Sequence, residues 1–320
     1  MALDPNPDDF PIVDPHHHFW DLGRNYYPWL CDPKPIPFRY GDYSALKRNY
    51  MPPDYRRDAG ALNIVKTVHA EALWDPSDPA GETRWLEQVA QEYGTPHACI
   101  GAVLFGRDDI GAVLAAHARS KLTRCVRNFP VAAAKPGDAK RGEPHSMDDP
   151  KWRRGYALME KHGFSFDLQT PWWHLDAAAD LAHAFPRTPV IINHTGLPTD
   201  RSLDGLKAWR QMLERAAREP NVALKISGLG QRTHSWPRDA NRQIVRDAIA
   251  IFGTDRCLFA SNYPVDGLCV GYRALFDDFK RFVADRLPGE RLALFHDNAA
   301  RIYRFGSASG GPGDSETRVG

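Results

Sequence analysis

Short apolar segments alternate with amphipathic ones along most of this 320-residue chain, and that alternation limits the possible folds more than any other feature. Each apolar segment has the length of a buried strand, and the stretch after it has the apolar spacing of a helix. Gly94, Gly163 and Gly253 stand where three of these helices are expected to end. After a first strand that begins near Ile12, the predicted strands cover residues 64–72, 97–105, 123–129, 164–170, 189–194, 222–227 and 257–261. The predicted helices cover residues 81–93, 110–119, 150–162, 175–185, 203–218, 238–252 and 272–286, and a final helix at 289–303 is expected to pack outside the barrel.

Alternation of strands with helices indicates a parallel sheet. Eight such units in a chain of this length favour an α/β fold of the (β/α)8 TIM-barrel type over a doubly wound sheet. A doubly wound sheet would be expected to have a glycine-rich phosphate turn, and neither GxGxxG nor GxxxxGK[ST] occurs. We therefore predict one barrel domain over residues 11–305, with a flexible N-terminus at 1–10 and a disordered tail at 306–320.

A long connection at residues 21–60, rich in aromatic residues and proline, follows the first predicted strand. A connection of this length without periodicity is usually a functional loop or a lid. A surface loop that packs on its own aromatic residues is the alternative. We predict that this lid-like insertion covers the mouth of the barrel and that Tyr26 and Trp29 line a ligand site there.

Composition excludes several classes of function. The net charge of +1 provides no field that would attract nucleic acid or an anionic membrane. No apolar run approaches the ~18 residues of a membrane span, and the acidic, proline-rich start lacks the features of a signal peptide. Five scattered cysteines with no Cys-x-x-Cys argue against a disulfide framework. We expect a cytoplasmic protein that binds a small molecule, and self-association is left open.

The segment VDPHHHFW at residues 13–20 contains the first candidate site. On a strand, His16 and His18 project to one side and His17 to the other. Two imidazoles at that spacing can reach one metal ion or one polarised substrate group. A remnant of a histidine tag is the alternative, but three histidines inside an apolar strand do not have the length or setting of a tag.

Polar residues recur where the other predicted strands end. In barrels of this class the catalytic groups lie at the carboxyl ends of the strands. Burial of an unpaired ionisable group costs free energy, so packing alone does not account for the repetition. The groups are His69 and Glu71, Arg127 and Asn128, Asp167 and Gln169, His194, Lys225 and Ser227, and Asn262, with Trp173, His174 and Asp266 a few residues beyond a strand.

Arg127 and His194 give the clearest functional indications in this set. His194 ends an apolar strand just before a Thr-Gly pair, where the backbone must turn. The guanidinium of Arg127 suits bidentate capture of a carboxylate. His69 is equally well explained as a core histidine, and Lys225 as the partner of a barrel carboxylate such as Asp167 or Glu71.

Five segments together resemble the amidohydrolase superfamily, in particular the branch that contains 2-pyrone-4,6-dicarboxylate lactonase and the sugar-acid lactonases. They are VDPHHHFWD, HAEALWDPSDPAGETRWL, VIINHTGLP, LFASNYPVD and LFHDNAARIYRF, and the resemblance spans about residues 12–305. The resemblance implies a TIM-barrel hydrolase. It makes His16 and His18 the strand-one histidines and His194 the strand-six histidine. Arg127 matches the arginine that holds a substrate carboxylate.

Two departures from the family pattern concern the metal. Metal-dependent members have a histidine or lysine on strand five, where this chain reads FDLQTP and Gln169 is the nearest candidate. They also end strand eight with an aspartate that is both ligand and general base, and here that position is Asn262. A carboxamide cannot take up a proton and is a weaker ligand. We therefore expect either no required cofactor or a weakly held divalent metal such as zinc, on His16 and His18.

These features predict a hydrolase of a small lactone that is carboxylated or derived from a sugar. Histidines polarise the carbonyl, Arg127 holds an anionic group, and Asp266 or His194 is the base. The predicted catalytic residues are His16, His18, His194, Asn262 and Asp266, and the predicted substrate-binding residues are Arg127, Gln169, His69, Trp173, Tyr26 and Trp29. A non-oxidative decarboxylase and a binding protein without catalysis are the alternatives, and Asn262 counts against the first and in favour of the second.

Overall fold

A computed structural model describes residues 10–305, which form one parallel sheet of eight strands in sequence order. The predicted TIM barrel is confirmed, and each strand lies within its predicted range. The predictions for residues 1–9 and 306–320 lie outside the described residues. The strands are β1 Ile12–His17, β2 Ile64–Ala70, β3 Ala98–Ala102, β4 Thr123–Asn128, β5 Ser165–Leu168, β6 Val190–Ile192, β7 Val222–Ile226 and β8 Cys257–Phe259.

The barrel closes where β1 meets the segment after β8. The Asn262 backbone N–H donates to the His16 carbonyl at 2.7 Å. The buried carboxylate of Asp14 accepts from the backbone N–H of Ser261 at 3.0 Å and from its hydroxyl at 2.6 Å. The first histidine strand and Asn262 therefore lie side by side at the carboxyl end of the barrel.

Helices surround the sheet because each presents an apolar face to it, as α8 does with Ile244, Ile249 and Phe252. Two short helices lie in the connection after β1, α1 Pro28–Cys31 and α2 Pro52–Ala59. The others are α3 Gly81–Tyr93, α4 Ile110–Ala118, α5 Pro150–Ala157, α6 Leu175–Ala184, α7 Leu203–Ala217, α8 Arg238–Phe252 and α9 Tyr272–Phe282. Within residues 10–305, no helix combines the length and the apolar character needed to cross a membrane.

The last helical segment differs from its prediction. It consists of α10 Pro288–Leu292, a π-helical turn Ala293–Asp297 and α11 Asn298–Ile302. It does not simply pack outside the barrel, because Tyr303 is buried and its hydroxyl donates to Asp167 Oδ2 at 3.3 Å. Tyr303 belongs to one buried cluster with Val13 and Ala98, which lie near the starts of β1 and β3. The segment therefore closes the amino end of the barrel.

The connection at residues 21–60 packs on its own aromatic residues and also reaches the barrel mouth. The rings of Trp29 and Phe38 stack at 5.8 Å, and Tyr43 packs on both. Trp29 and Phe38 line the same cavity as His18. The two interpretations of this segment are therefore compatible, since its aromatic packing is what presents these rings at the mouth.

Candidate active site

A cavity of about 310 Å³ lies at the carboxyl ends of the strands. Strand-end residues and the connection after β1 provide its walls. The polar side chains that line it are His18, Arg39, Glu71, Arg127, Gln169, His194 and Asn262. Besides His18, five of the predicted strand-end groups therefore meet at this cavity, and they lie on or after β2, β4, β5, β6 and β8.

His18 presents an unprotonated nitrogen to this cavity. Its Nδ1 lies 2.7 Å from the Ala70 carbonyl, which can only accept, so Nδ1 carries the proton. Burial lowers the pKa of His18 well below its ordinary value, so the ring is neutral and Nε2 keeps its lone pair. Nε2 lies 3.3 Å from Asn262 Oδ1. Asn262 Nδ2 donates to Asp266 at 2.7 Å, which fixes the amide with its oxygen toward His18.

His16 has the opposite arrangement. Its Nδ1 lies 3.3 Å from Lys225 Nζ, and that ammonium is 2.5 Å from Asp167 Oδ2. Since an ammonium only donates, His16 Nδ1 accepts and Nε2 carries the proton. This buried Nε2 has no hydrogen-bond partner among the described residues, and the ring centre lies 4.8 Å from that of His194 and 5.1 Å from that of His18. His16 thus has an N–H without a partner between two other imidazoles, but unlike His18 and His194 it does not itself line the cavity.

His194 is held by a left-handed turn after β6. His194 and Thr195 have φ values of +52° and +58°, which non-glycine residues rarely adopt. His194 Nδ1 lies 3.0 Å from the Ser227 hydroxyl, and burial followed by the charge of Arg39 lowers the pKa of the ring. A Cβ on Gly228 would lie 2.8 Å from the Cβ of His194, so a glycine is needed for this close approach.

Arg127 is fixed in place before any ligand binds. Its Nε lies 3.4 Å from Glu71 Oε1, and its Nη2 donates to Gln169. The guanidinium also lies over the Phe129 ring, 4.5 Å from the ring centre. Burial raises the pKa of Glu71, and the charge of Arg127 opposes that rise. The pair places a guanidinium at the cavity beside a carboxylate that the sequence interpretation left out of the site.

Arg39 is a second guanidinium at the cavity. Its Nη2 lies 3.6 Å from Asp266 Oδ1, and its guanidinium lies 4.6 Å from the centre of the Tyr40 ring. Sequence reasoning missed this residue, because it comes from an irregular connection where no periodicity indicates the direction of a side chain. Glu71, by contrast, was visible as a strand-end carboxylate and was not included among the site residues.

Asp266 lies behind the cavity rather than in its wall. Its buried carboxylate accepts from the Tyr40 hydroxyl at 2.6 Å, from Asn262 Nδ2 at 2.7 Å and from the Gly228 N–H at 2.9 Å. These bonds occupy its lone pairs, and it does not line the cavity. The structure therefore makes Asp266 a partner that orients Asn262, which does not fit the direct base role considered for it.

The predicted substrate-binding residues divide into two groups. Gln169 and Trp29 line the cavity with Arg127. His69 is a core histidine, buried with Nε2 at 3.2 Å from a backbone carbonyl. Trp173 donates its indole N–H to a backbone carbonyl, Tyr26 is 44% exposed, and neither lines the cavity. The hydrogen bonds of Lys225 confirm its interpretation as the partner of a barrel carboxylate.

The donor set does not fit a tightly held divalent metal. Within residues 10–305 there is no group of three or more His, Cys, Asp or Glu side chains that could hold a metal ion. Structural and catalytic zinc sites normally have three or four strong ligands. His18 Nε2 and Asn262 Oδ1 offer two neutral ligands, and the Nε2 of His16 carries a proton.

The barrel and its strand-end imidazoles define a hydrolase of the amidohydrolase type. The model of the Amidohydro_2 family, described as "Amidohydrolase", matches residues 13–305, and the chain belongs to this family. The resemblance to a lactonase-like branch of the superfamily is also confirmed.

Three known proteins illustrate the relationship. An uncharacterised protein, y4mH, of Sinorhizobium fredii is 42% identical over 92% of this chain and 99% of its own length. An L-fucono-1,5-lactonase of Burkholderia ambifaria is 28% identical over 93% of this chain and 97% of its own. A crystal structure of a Burkholderia multivorans amidohydrolase with bound zinc has a TM-score of 0.74 at 24% identity, covering 92% and 99% of the two chains. At that identity the third match shows the fold alone.

Proposed function

We propose that this protein hydrolyses a small lactone whose ring bears hydroxyl or carboxylate groups. The observation that supports this most is the opposite protonation of two neighbouring imidazoles, with a bare Nε2 on His18 and an Nε2–H on His16. A proton acceptor and a hydrogen-bond donor at one carbonyl are sufficient to open an activated ester. A relative with the printed name L-fucono-1,5-lactonase favours a lactone as that ester.

The proposed reaction uses His18 as the general base. Water binds beside His18 Nε2 and Asn262 Oδ1, donates a hydrogen bond to each, and attacks the lactone carbonyl as His18 takes its proton. His16 Nε2–H, together with His194, donates to the oxyanion that forms. Collapse of the tetrahedral intermediate breaks the ring C–O bond, and the imidazolium of His18 returns the proton to the leaving ring oxygen. The product is a hydroxy acid.

Charge in the cavity favours a substrate with anionic or oxygen-rich substituents. Arg39 and Arg127 line it together with one carboxylate, that of Glu71. Guanidinium groups bind carboxylates and vicinal hydroxyls through paired hydrogen bonds. In this proposal Arg127 binds the substituent on the lactone, and Gln169 keeps the guanidinium in plane with it.

A panel of aldonolactones and carboxylated unsaturated lactones, followed with a pH indicator, tests the proposed function. We expect turnover of at least one member, with release of one proton per ring opened. No turnover of any member by folded protein would contradict the proposal. Release of carbon dioxide from aromatic carboxylates would instead indicate the decarboxylase alternative.

Replacement of Arg127 by lysine tests the recognition step. Arg127→Lys keeps the charge but loses paired hydrogen bonding, which is worth about 1 kcal/mol. We expect KM for a carboxylated lactone to rise about fivefold with little change in kcat. Arg210→Lys, on α7 and paired with Asp247, is the matched control and should leave KM unchanged. If both variants change KM equally, a residue other than Arg127 recognises the carboxylate of the lactone.

The pH dependence of kcat/KM tests the protonation state of His18. Burial lowers its pKa below the ordinary value, so the neutral, basic form persists as the pH falls through about 6.5. We expect kcat/KM to remain level through this pH and to decline only below it. A decline centred at or above about 6.5 would assign the base to a group with an ordinary pKa.

A further inference from the structure

A second chamber of about 360 Å³ adjoins the catalytic cavity. Six residues line both the chamber and the catalytic cavity, namely Trp29, Ile36, Glu71, Leu73, Arg127 and Phe129. The chamber lies on the side of the barrel mouth formed by the connections after β1, β2, β3 and β4, away from His194 and Asn262. Seven of its other ten walls are apolar or proline residues, and the remaining three are the charged residues Asp32, Lys34 and Asp75.

The chamber leaves large apolar side chains in contact with solvent. Ile36, Leu73, Leu104 and Phe129 all line it, and between 37% and 51% of each is exposed. Large exposed apolar residues scattered singly need no explanation, but a contiguous group at a cleft commonly marks a binding site. These four belong to one concave surface that continues into the catalytic cavity.

Hydrogen bonds to two buried acidic side chains hold one of these residues in a strained backbone conformation. Leu73 has a φ of +58°, which a leucine adopts only when its surroundings impose it. The Leu73 N–H donates to Glu71 at 2.8 Å, and the preceding Ala72 N–H donates to both oxygens of Glu82 at 3.1 and 3.2 Å. Two buried carboxyl groups thus fix the turn that places Leu73, an exposed leucine, at the chamber wall.

We infer that the natural substrate is amphipathic, with its lactone ring at the imidazoles and an apolar extension, alkyl or aryl, in this chamber. The inference rests on the proposed function and specifies its substrate class. The Arg127–Glu71 pair stands at the junction, where the guanidinium lies over the Phe129 ring. Polar groups of the ring therefore meet Arg127, and apolar atoms beyond them meet Phe129, Leu73 and Leu104.

The position of the chamber favours a substrate over other occupants. Its continuity with the catalytic cavity gives a bound molecule access to both compartments. The described chain begins and ends at the amino face of the barrel, where Phe10 precedes β1 and Phe305 contacts His97 just before β3. Both ends of the described chain therefore lie at the face opposite the chamber.

A pair of δ-lactones, one with a methyl and one with a pentyl substituent beside the ring oxygen, tests the inference. Burial of each methylene should raise kcat/KM about twofold to fourfold, so the pentyl compound should be preferred by at least about tenfold. Leu104→Asp, which alters the chamber and a neighbouring pocket but no wall of the catalytic cavity, should remove most of that preference. Leu203→Asp replaces a more exposed leucine that lines neither the chamber nor the catalytic cavity, and it should leave the preference unchanged.

Binding of the corresponding δ-lactams separates this inference from the proposed function. These analogues are not hydrolysed, so calorimetry reports occupancy of the chamber even if no lactone is turned over. Tighter binding of the pentyl lactam, lost in Leu104→Asp, supports the chamber. Equal binding of both lactams overturns the inference, whatever the lactones do. Sedimentation in which Leu104→Asp dissociates a dimer, with the pentyl preference unaltered, would also overturn it by assigning the apolar surface to a second copy of the chain.

Discussion

His18→Gln is expected to lower kcat about 10²–10⁴-fold, the usual contribution of a positioned general base. The glutamine amide can still donate to the Ala70 carbonyl, which His18 Nδ1 approaches at 2.7 Å, but it cannot take a proton from water. KM should change little, because recognition of the substituent is assigned to Arg127. Steady-state kinetics on the best lactone of the panel, together with thermal melting, would measure the effect.

His117→Gln is the matched control for that variant. His117 is also buried and bonded to a backbone carbonyl, that of Ala102 at 2.9 Å, but it lies between α4 and β3 and not at the cavity. It should lower the melting temperature without a comparable loss of kcat. If the two variants lose kcat equally, or if His18→Gln keeps it within about tenfold, the proton acceptor is a different group.

The fold could be predicted because it depends on patterns that are local in sequence. Short apolar runs identified each strand of the barrel, period-3.6 apolar spacing identified its helices, and the glycines after α3 and α8 identified two helix ends. The final segment could not be placed in the same way. Its spacing predicts a helix, but only the packing of Tyr303 against the barrel interior shows that it closes the amino end.

The site was predictable where side-chain direction follows from position on a strand. Arg127 and Gln169 lie at or just after strand ends, where alternation fixes their direction, and both reach the cavity. Asp266 lies four residues beyond Asn262, in a turn whose direction no periodicity indicates, and it turns away from the cavity toward Tyr40. Arg39 reaches the cavity from an irregular connection for the same physical reason.

The two histidines of the first strand illustrate a further limit. Alternation predicts that His16 and His18 share a side, but it does not reveal which nitrogen of each ring carries the proton. That depends on partners far away in sequence, Ala70 for one ring and Lys225 for the other. An acceptor and a donor arise from the same residue type because one ring meets a carbonyl and the other an ammonium.

Asn262→Asp is expected to lower activity by raising the free energy of activation by about 1.5–3 kcal/mol, which is the cost of disrupting a charged hydrogen bond. Asn262 Nδ2 donates to Asp266 Oδ1 at 2.7 Å, so the substitution sets two carboxylates against each other. A carboxylate would also repel an anionic substrate held by Arg127. The variant should lose kcat/KM most for carboxylated lactones and least for neutral ones, which a comparison of the two substrate types would measure.

A metal-dependent site would respond in the opposite way. There the new aspartate would add a charged ligand, tighten the metal and raise activity. Metal analysis and assays with chelator, before and after addition of zinc, distinguish the two cases in the unmodified protein and in Asn262→Asp. Because His16 Nδ1 accepts from Lys225 and residues 10–305 contain no group of three or more His, Cys, Asp or Glu side chains that could hold a metal ion, we expect chelators to leave the unmodified protein active. Activity that disappears with a chelator and returns with zinc would show that these protonation states are wrong and that the site is built around a metal.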